Sequence, residues 1–245
     1  MRRRFFVERF EGGSATIRGE TAEHLGRVLR ARPGQLYELS DGERVWLSRI
    51  EGVAVSKRGE NRIDFTLVEP IAARQLSPEI HLLISLIKFD RFEWCLEKAT
   101  ELGAAEIIPL AAARTDKPLL GAAKNRRARW ERILAESAQQ ARCLRPPRLG
   151  TVVAPRAAFV QTRAECRILL SERLGAPSLR ETSLPTSPMN TIALAIGPEG
   201  GWTDEEEAVG RDAGFMEASL GENILRTETA VIAALALLRF LAGNR

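Results

Sequence analysis

Two loops that combine glycine with strand and helix signals are the segments of this chain best suited to binding a small molecule. They are GPEGG at 197–201 and LGENILRTET at 220–229. The first follows the strand-like run Thr191–Ile196 and precedes a helix start, where Thr203 and Glu206 have the spacing of a capping box. Glycine-rich turns leave backbone N–H groups open to close approach. The pair therefore predicts one pocket, lined mainly by backbone, for a flat polar molecule.

The elements around these loops are typical of an α/β domain. Strand and helix patterns alternate from the apolar run Ile80–Ile87, which predicts a strand buried on both faces. A helix is predicted to begin at Asp90, with Glu93 at the capping-box position, and a long amphipathic helix to span Lys124–Arg142. This order predicts a parallel sheet flanked by helices over residues 80–245.

The N-terminal part of the chain has a different pattern. Residues 1–70 contain short strand-like runs, a predicted hairpin turn at Asp41-Gly42, and one helix predicted from Thr21 to Arg30. This pattern predicts a small β-barrel with one helix. A segment without periodicity, 71–79, is the predicted linker between the two domains.

Composition excludes several classes of protein. No apolar run among the 245 residues reaches the ~18–20 needed for a membrane span, and the basic N-terminus is too charged for a signal peptide. The three cysteines form no CxxC pair and only two histidines occur, so no metal site is predicted. We expect a soluble protein of the reducing cytoplasm.

Charge is unevenly distributed. Ten basic residues stand against three acidic ones between Arg114 and Arg148, whereas nine acidic stand against two basic between Glu199 and Glu228. An arginine-rich region favours a polyanion such as RNA, because the guanidinium fork matches phosphate and stacks on bases. A solvated helix face explains the same composition equally well.

Four segments resemble the RsmE-type 16S rRNA uridine N3-methyltransferases of the SPOUT superfamily. They are HLGRVLRARPGQ at 24–35, EKATELGAAEIIPL at 97–110, GPEGG at 197–201 and LGENILRTETA at 220–230. The resemblance implies a PUA-like RNA-binding β-barrel followed by a SPOUT domain with a deep trefoil knot. It also implies S-adenosylmethionine (SAM) as cofactor, a homodimer formed partly by the last helix, and the 16S rRNA or small ribosomal subunit as substrate.

The resemblance places SAM among three loops. The implied cofactor residues are Leu170, Ser171, Glu172, Ile196, Gly197, Pro198, Glu199, Gly200, Ser219, Leu220, Gly221, Asn223, Ile224, Leu225 and Arg226. The chain departs from the family pattern at Glu222 and Asn223, where many relatives have proline and arginine, and at Phe89, where they often have glycine. The departures concern the details of the site more than the class of reaction.

Methylation at N3 of uridine requires that the N3 proton leave or that charge on the neighbouring carbonyl oxygens be stabilised. Arg226, at a loop-to-helix junction, is the candidate for the electrostatic role, and Glu228 is the candidate proton acceptor. The structural alternatives are that Arg226 caps the helix and that Glu228 satisfies first-turn N–H groups.

Further arginines and one histidine are expected to bind the RNA backbone. The implied RNA-facing residues of the barrel are Arg4, His24, Arg27, Arg30 and Arg32. Contacts of this kind supply affinity and salt dependence rather than sequence choice. Two other functions remain open at this point: a SPOUT ribose 2′-O-methyltransferase, and a non-catalytic RNA-binding assembly factor.

Overall fold

The chain divides into two compact units. The computed structural model describes residues 3–55, 60–73, 75–173, 175–181 and 191–243. The first unit comprises residues 1–75 and 138–145, and the second comprises 76–137 and 146–245. The predicted barrel, 1–70, falls within the first unit, but no sequence pattern connected 138–145 with it.

The first unit is a curled, mostly antiparallel sheet. Its strands are β1 (Arg4–Phe6), β2 (Ser14–Arg18), β3 (Leu36–Ser40), β4 (Val45–Ala54) and β5 (Arg62–Ile71). They lie in the order β1-β3-β4-β5-β2, and only β1 and β3 run parallel. Register shifts between β4 and β5 mark bulges, which bend a sheet into a half-barrel. The inner face buries Phe5, Leu39 and Phe65.

The helix of this unit begins earlier than predicted. Helix α1 spans Gly19–Glu23 and continues into a π-helical turn, His24–Val28. The predicted start at Thr21 is therefore wrong by two residues. Gly19, at a φ of +64°, turns the chain directly out of β2, so the helix begins without a side-chain cap.

The second unit is built on a parallel sheet, as predicted, and this sheet has six strands. Its strands are β6 (Glu79–Ser85), β7 (Ala104–Leu110), β8 (Arg148–Leu149), β9 (Cys166–Leu170), β10 (Thr191–Ile196) and β11 (Met216–Ala218). They lie in the order β11-β9-β10-β6-β7-β8. The chain runs from β9 to β10 in one direction across the sheet and from β10 back past β9 to β11, so its direction of winding reverses at β10.

Helices cover both faces of this sheet. They are α2 (Phe89–Glu101), α3 (Lys117–Ala123), α4 (Arg127–Gln140), α5 (Pro155–Gln161), α6 (Asp204–Asp212) and α7 (Thr227–Gly243). Alternate residues of β6 separate two cores: Leu82 packs in one with α2, α4 and α7, and Leu83 in the other with Phe159 of α5. None of the described helices is long and apolar enough to cross a membrane.

Of the two capping boxes predicted in this unit, one forms and the other does not. Thr203 and Glu206 form the predicted box at the start of α6. The predicted box at Asp90 and Glu93 is wrong, because α2 begins one residue earlier, after Lys88, with no side-chain cap. Glu93 instead accepts hydrogen bonds from Arg129 at 2.8 Å.

Helix α4 is shorter than predicted. A 3-10 turn, Lys124–Arg126, precedes it, and the helix itself ends at Gln140 rather than Arg142. Arg142 has a φ of +56°, outside the right-handed helical region, so the helix cannot continue through it.

Candidate functional site

A cavity of about 340 Å³ opens at the carboxyl ends of β9, β10 and β11. Ligands of open α/β sheets bind in the crevice outside the carboxyl ends of strands where the winding reverses, which is the situation at β10. The volume lies at the small end of the range for small-molecule pockets. All of the predicted cofactor residues except Glu199 and Arg226 line this cavity. Folding therefore brings together three loops that are separated in sequence.

Sequence reasoning missed several side chains that line the same cavity, namely Arg114, Arg173, Trp202, Glu207 and Thr227. Trp202 directly follows GPEGG, and an aromatic residue in that position was the available signal. Arg114 follows β7, whose carboxyl end lies on the same edge of the sheet. Its place could have been inferred only from the strand order.

Trp202 joins two walls of the cavity. Its indole Nε1 donates a 3.0 Å hydrogen bond to the carbonyl oxygen of Leu170, at the end of β9. A Cβ atom added to Gly197 would lie 3.1 Å from Cε2 of the same ring, so glycine here lets the loop after β10 approach the indole without displacing it. The ring is 7% exposed and packs edge-on against Phe159.

The GPEGG loop closes in a tight turn. The backbone N–H of Gly201 donates to the carbonyl oxygen of Pro198 at 2.8 Å, and Gly201 has a φ of +68°. Thr227, in the first turn of α7, donates from Oγ1 to the carbonyl oxygen of Gly197 at 3.2 Å. The start of the last helix therefore holds the loop that follows β10.

Ser219 orders the loop after β11. Its Oγ donates to the carbonyl oxygen of Gly221 at 3.0 Å and accepts from the backbone N–H of Gly221 at 3.1 Å. Its backbone N–H donates to the carbonyl oxygen of Pro177 at 2.7 Å, and its own carbonyl accepts from Leu179 at 2.8 Å. This wall of the cavity is thus fixed by hydrogen bonds without any ligand.

The two predicted cofactor residues outside the cavity differ in their surroundings. The carboxylate of Glu199 pairs with Arg91 of α2. The side chain of Arg226 is exposed and makes no hydrogen bond or ion pair within the described part of the chain. Its neighbours Leu225 and Thr227 line the cavity, so Arg226 lies beside the cavity.

Glu228, the predicted proton acceptor, does not line the cavity. Its side chain is 12% exposed, and Oε1 lies 3.8 Å from Nε of Arg91. Burial, and after it the charge of Glu228, raises the pKa of the Cys95 thiol to about 12. Glu228 therefore faces α2, and its other oxygen, Oε2, is buried without a hydrogen-bond partner among the described residues.

The charges of the cavity are mostly negative. The carboxylates that line it belong to Glu172, Asp204, Glu207 and Glu222, whereas the cations are Arg114 and Arg173. Nη2 of Arg173 lies 2.5 Å from both Asp204 and Glu207, so this arginine is already neutralised. Surplus carboxylate charge in a partly enclosed space favours a cationic ligand.

Glu207 should make stability depend on pH. Burial raises the pKa of its carboxyl, and Arg173 opposes that rise. A carboxyl whose folded pKa is raised contributes stability that is complete below its unfolded pKa and is lost as pH rises through the folded one. We expect Glu207→Gln to gain stability relative to the native protein as pH rises from 4.5 to 7, measured by urea unfolding. Glu205→Gln, exposed on the same helix, is the control, and an equal change in both variants would contradict this role for Glu207.

Comparison with known proteins identifies the family. The family model of the RNA methyltransferase domain matches residues 74–239. The ribosomal RNA small subunit methyltransferase E of Synechocystis sp. is 36% identical over 240 residues, which cover 93% of this chain and 74% of the relative. The chain belongs to this methyltransferase E family.

Other members agree over the whole length. The methyltransferase E of Bacillus subtilis is 30% identical and covers 97% of this chain and 96% of its own. The crystal structure of the methyltransferase E of Neisseria gonorrhoeae bound to S-adenosyl methionine is 30% identical, covers 98% of each chain and superposes with a TM-score of 0.84. The α/β fold predicted for this chain is the fold of the family.

A methyltransferase E that acts on RNA needs a surface for a polyanion, and the structure separates the predicted RNA residues into two groups. His24, Arg27, Arg30 and Arg32 are all exposed along the π-helical turn that follows α1 and the segment after that turn. Arg4 is 9% exposed, and it pairs with Glu38 at 3.0 Å and donates to the carbonyl oxygen of Arg142 at 2.6 Å. The guanidinium of Arg4 is therefore engaged within the protein.

The arginines of the basic stretch around α4 also have partners within the protein. Arg126 and Arg129 pair with Glu93, at 3.5 and 2.8 Å. Arg127 donates to the carbonyl oxygens of Leu149 and Gly150. These contacts favour the structural interpretation of that stretch. In the part of the chain that the structure describes, no three His, Cys, Asp or Glu side chains are grouped so as to hold a metal ion.

Proposed function

We propose that this protein transfers a methyl group from SAM to N3 of a specific uridine in the 16S rRNA of the small ribosomal subunit. The observation that carries the proposal is the cavity at the ends of β9, β10 and β11, lined by the three loops that the family resemblance assigns to the cofactor. The names of the relatives support the ribosomal substrate, and the uridine N3 position rests on the resemblance.

The residues of the cavity fit SAM. When bound, SAM supplies a methyl group on a sulfonium, which is a cation and a good leaving group. The surplus of carboxylates over free cations favours that charge. The ordered backbone of the loops 170–172, 196–200 and 219–225 would hold the flat adenine, and the small, glycine-rich walls leave room for close approach.

Arg226 stays our candidate for an electrostatic role beside the cavity. Because its side chain is exposed and has no partner within the described residues, we expect Arg226→Ala to lower the rate of methyl transfer about tenfold or more while SAM affinity stays within about twofold. Single-turnover kinetics and calorimetric titration with SAM measure the two quantities. Equal losses in both would exclude a role in the chemistry.

The proton-acceptor role of Glu228 also stays a prediction. Its carboxylate pairs with Arg91 and lies outside the cavity lining. To reach the base, the side chain would have to leave that ion pair.

The decisive experiment uses radiolabelled SAM and small ribosomal subunits from a strain that lacks this modification. Label on N3 of one uridine, located by nuclease digestion and mass spectrometry, is the expected result. Label on a ribose 2′-oxygen would establish the alternative SPOUT activity. SAM binding without transfer to any form of the subunit, or no SAM binding at all, would favour the non-catalytic assembly factor.

The trefoil knot, the homodimer and the cytoplasmic location belong to the same proposal. Phe240, on the last helix, is 63% exposed, and Trp94 of α2 is 43% exposed. Large exposed apolar side chains on α2 and α7, which pack against each other, suit an interface between two copies of the chain. A ribosomal RNA substrate places the enzyme in the cytoplasm.

A further inference from the structure

Arg114 is the uncompensated positive charge of the cavity. Of the two arginines in the lining, Arg173 is neutralised by Asp204 and Glu207. Arg114 has no carboxylate within ion-pair distance among the residues that the structure describes; its hydrogen bonds go to carbonyl oxygens. Arg114 is exposed and unpaired in a cavity rich in carboxylates. Such a cation favours an anionic group of the substrate as its partner.

The guanidinium of Arg114 is held in place by the GPEGG loop. Its Nη1 donates to the carbonyl oxygens of Gly200, at 2.6 Å, and Trp202, at 3.0 Å. The aliphatic part of the side chain crosses Gly200 so closely that a Cβ there would lie 3.3 Å from Cδ of Arg114. Both of these bonds use Nη1, which leaves the Nε and Nη2 donors for another acceptor. A donor fixed before the substrate arrives needs no reorganisation during the reaction.

We propose that Arg114 is a catalytic residue that donates to a ring carbonyl oxygen of the target uracil and stabilises the anion left when N3 loses its proton. The inference rests on the proposed function, because it assigns a role within that reaction. Arg114 lies on the segment after β7, outside the three cofactor loops, so the proposal assigns a step of methyl transfer to a fourth segment of the chain.

The N3 proton of the uracil passes to water, and the negative charge spreads over N3 and the carbonyl oxygens O2 and O4. Arg114 stabilises that charge. The N3 lone pair then forms the new N–C bond as the methyl–sulfur bond breaks, and the electron pair of that bond stays on sulfur. A neutral methylated base and a neutral thioether result.

Other cations are less well placed for this role. Arg226 lies outside the cavity lining, and the lining residues 219–225 include no cation. Arg114 is therefore the cation available to the substrate within the cavity.

The test compares Arg114→Met, Arg114→Lys and the native protein on subunits carrying either uridine or 5-fluorouridine at the target. Fluorine withdraws electron density and makes N3 more acidic, so the base needs less help to lose its proton. For Arg114→Met we expect a rate of methyl transfer about 100-fold lower, with SAM and subunit dissociation constants within about threefold. Its pH–rate profile should rise at higher pH than that of the native protein, and 5-fluorouridine should restore about tenfold or more of the rate.

Two controls separate this role from others. Arg114→Lys keeps a cation and should retain part of the rate, whereas Arg173→Met, at the other cavity arginine, should show no rescue by 5-fluorouridine. A loss of SAM affinity as large as the loss of rate would assign Arg114 to the cofactor or the loop. Weaker subunit binding with a reduced salt dependence would assign it to a phosphate. Either outcome, or an absence of rescue by 5-fluorouridine, overturns the proposal, whereas failure of the native protein to methylate N3 rejects the proposed function itself.

Discussion

Replacing Trp202 with alanine should lower the free energy of unfolding by about 3–5 kcal/mol, the range for removing a large buried aromatic side chain. The indole is 7% exposed and fills the space between Gly197, Phe159 and the end of β9. Its loss also leaves the Leu170 carbonyl oxygen without its 3.0 Å partner. Since Leu170 and Gly197 belong to two different walls of the cavity, we expect SAM affinity to fall at least tenfold as well. Urea unfolding and calorimetry measure the two effects.

A pair of milder variants separates the two consequences of losing Trp202. Trp202→Phe keeps most of the ring but removes the hydrogen-bond donor, so it should cost about 1–3 kcal/mol and still weaken SAM binding. Phe159→Leu perturbs the same core from the side of α5, where the ring contacts Trp202 but does not line the cavity. We expect it to lower stability with little change in affinity. If the two variants weakened SAM binding equally, affinity would follow general stability rather than the Trp202 bridge.

The features that were predicted correctly from the sequence are those that depend on local interactions. The strand Thr191–Ile196, the capping box of Thr203 and Glu206, and the glycine turn between them all appear in the structure because each depends on a few consecutive residues. The same reasoning failed at Asp90 and Glu93, which have the spacing of a capping box without forming one. There Glu93 accepts a hydrogen bond from the distant Arg129 instead of capping the start of α2.

Features that depend on distant contacts were not predictable from the pattern. Arg4 is one of several arginines near the N-terminus, and only its ion pair with Glu38 and its bond to the carbonyl of Arg142 distinguish it from a surface cation. Arg114 reaches the cavity because β7 and β10 end at the same edge of one sheet. Its role follows from strand order and from two carbonyl oxygens more than eighty residues away in sequence.

Arg239 is the second side chain whose removal should have a large effect. From α7 it donates to the carbonyl oxygens of Leu102 at 3.2 Å and Gly103 at 2.5 Å, at the end of α2, and to that of Pro78 at 2.7 Å, just before β6. Burial lowers the pKa of its guanidinium to about 10, so the group keeps its charge at neutral pH. One planar cation thus ties the last helix to two other elements of the second unit.

Arg239→Met should lower the free energy of unfolding by about 2–4 kcal/mol, because it keeps most of the aliphatic volume but leaves three carbonyl oxygens without their donor. Arg132→Met, on the exposed face of α4 with its nearest carboxylate 3.9 Å away, is the matched control and should change stability by no more than about 0.5 kcal/mol. Because α7 begins at Thr227, which holds the loop after β10, loosening the helix should also weaken SAM binding. Urea unfolding and calorimetric titration of both variants provide the check, and equal stability of the two would show that the three carbonyl contacts do not anchor the helix.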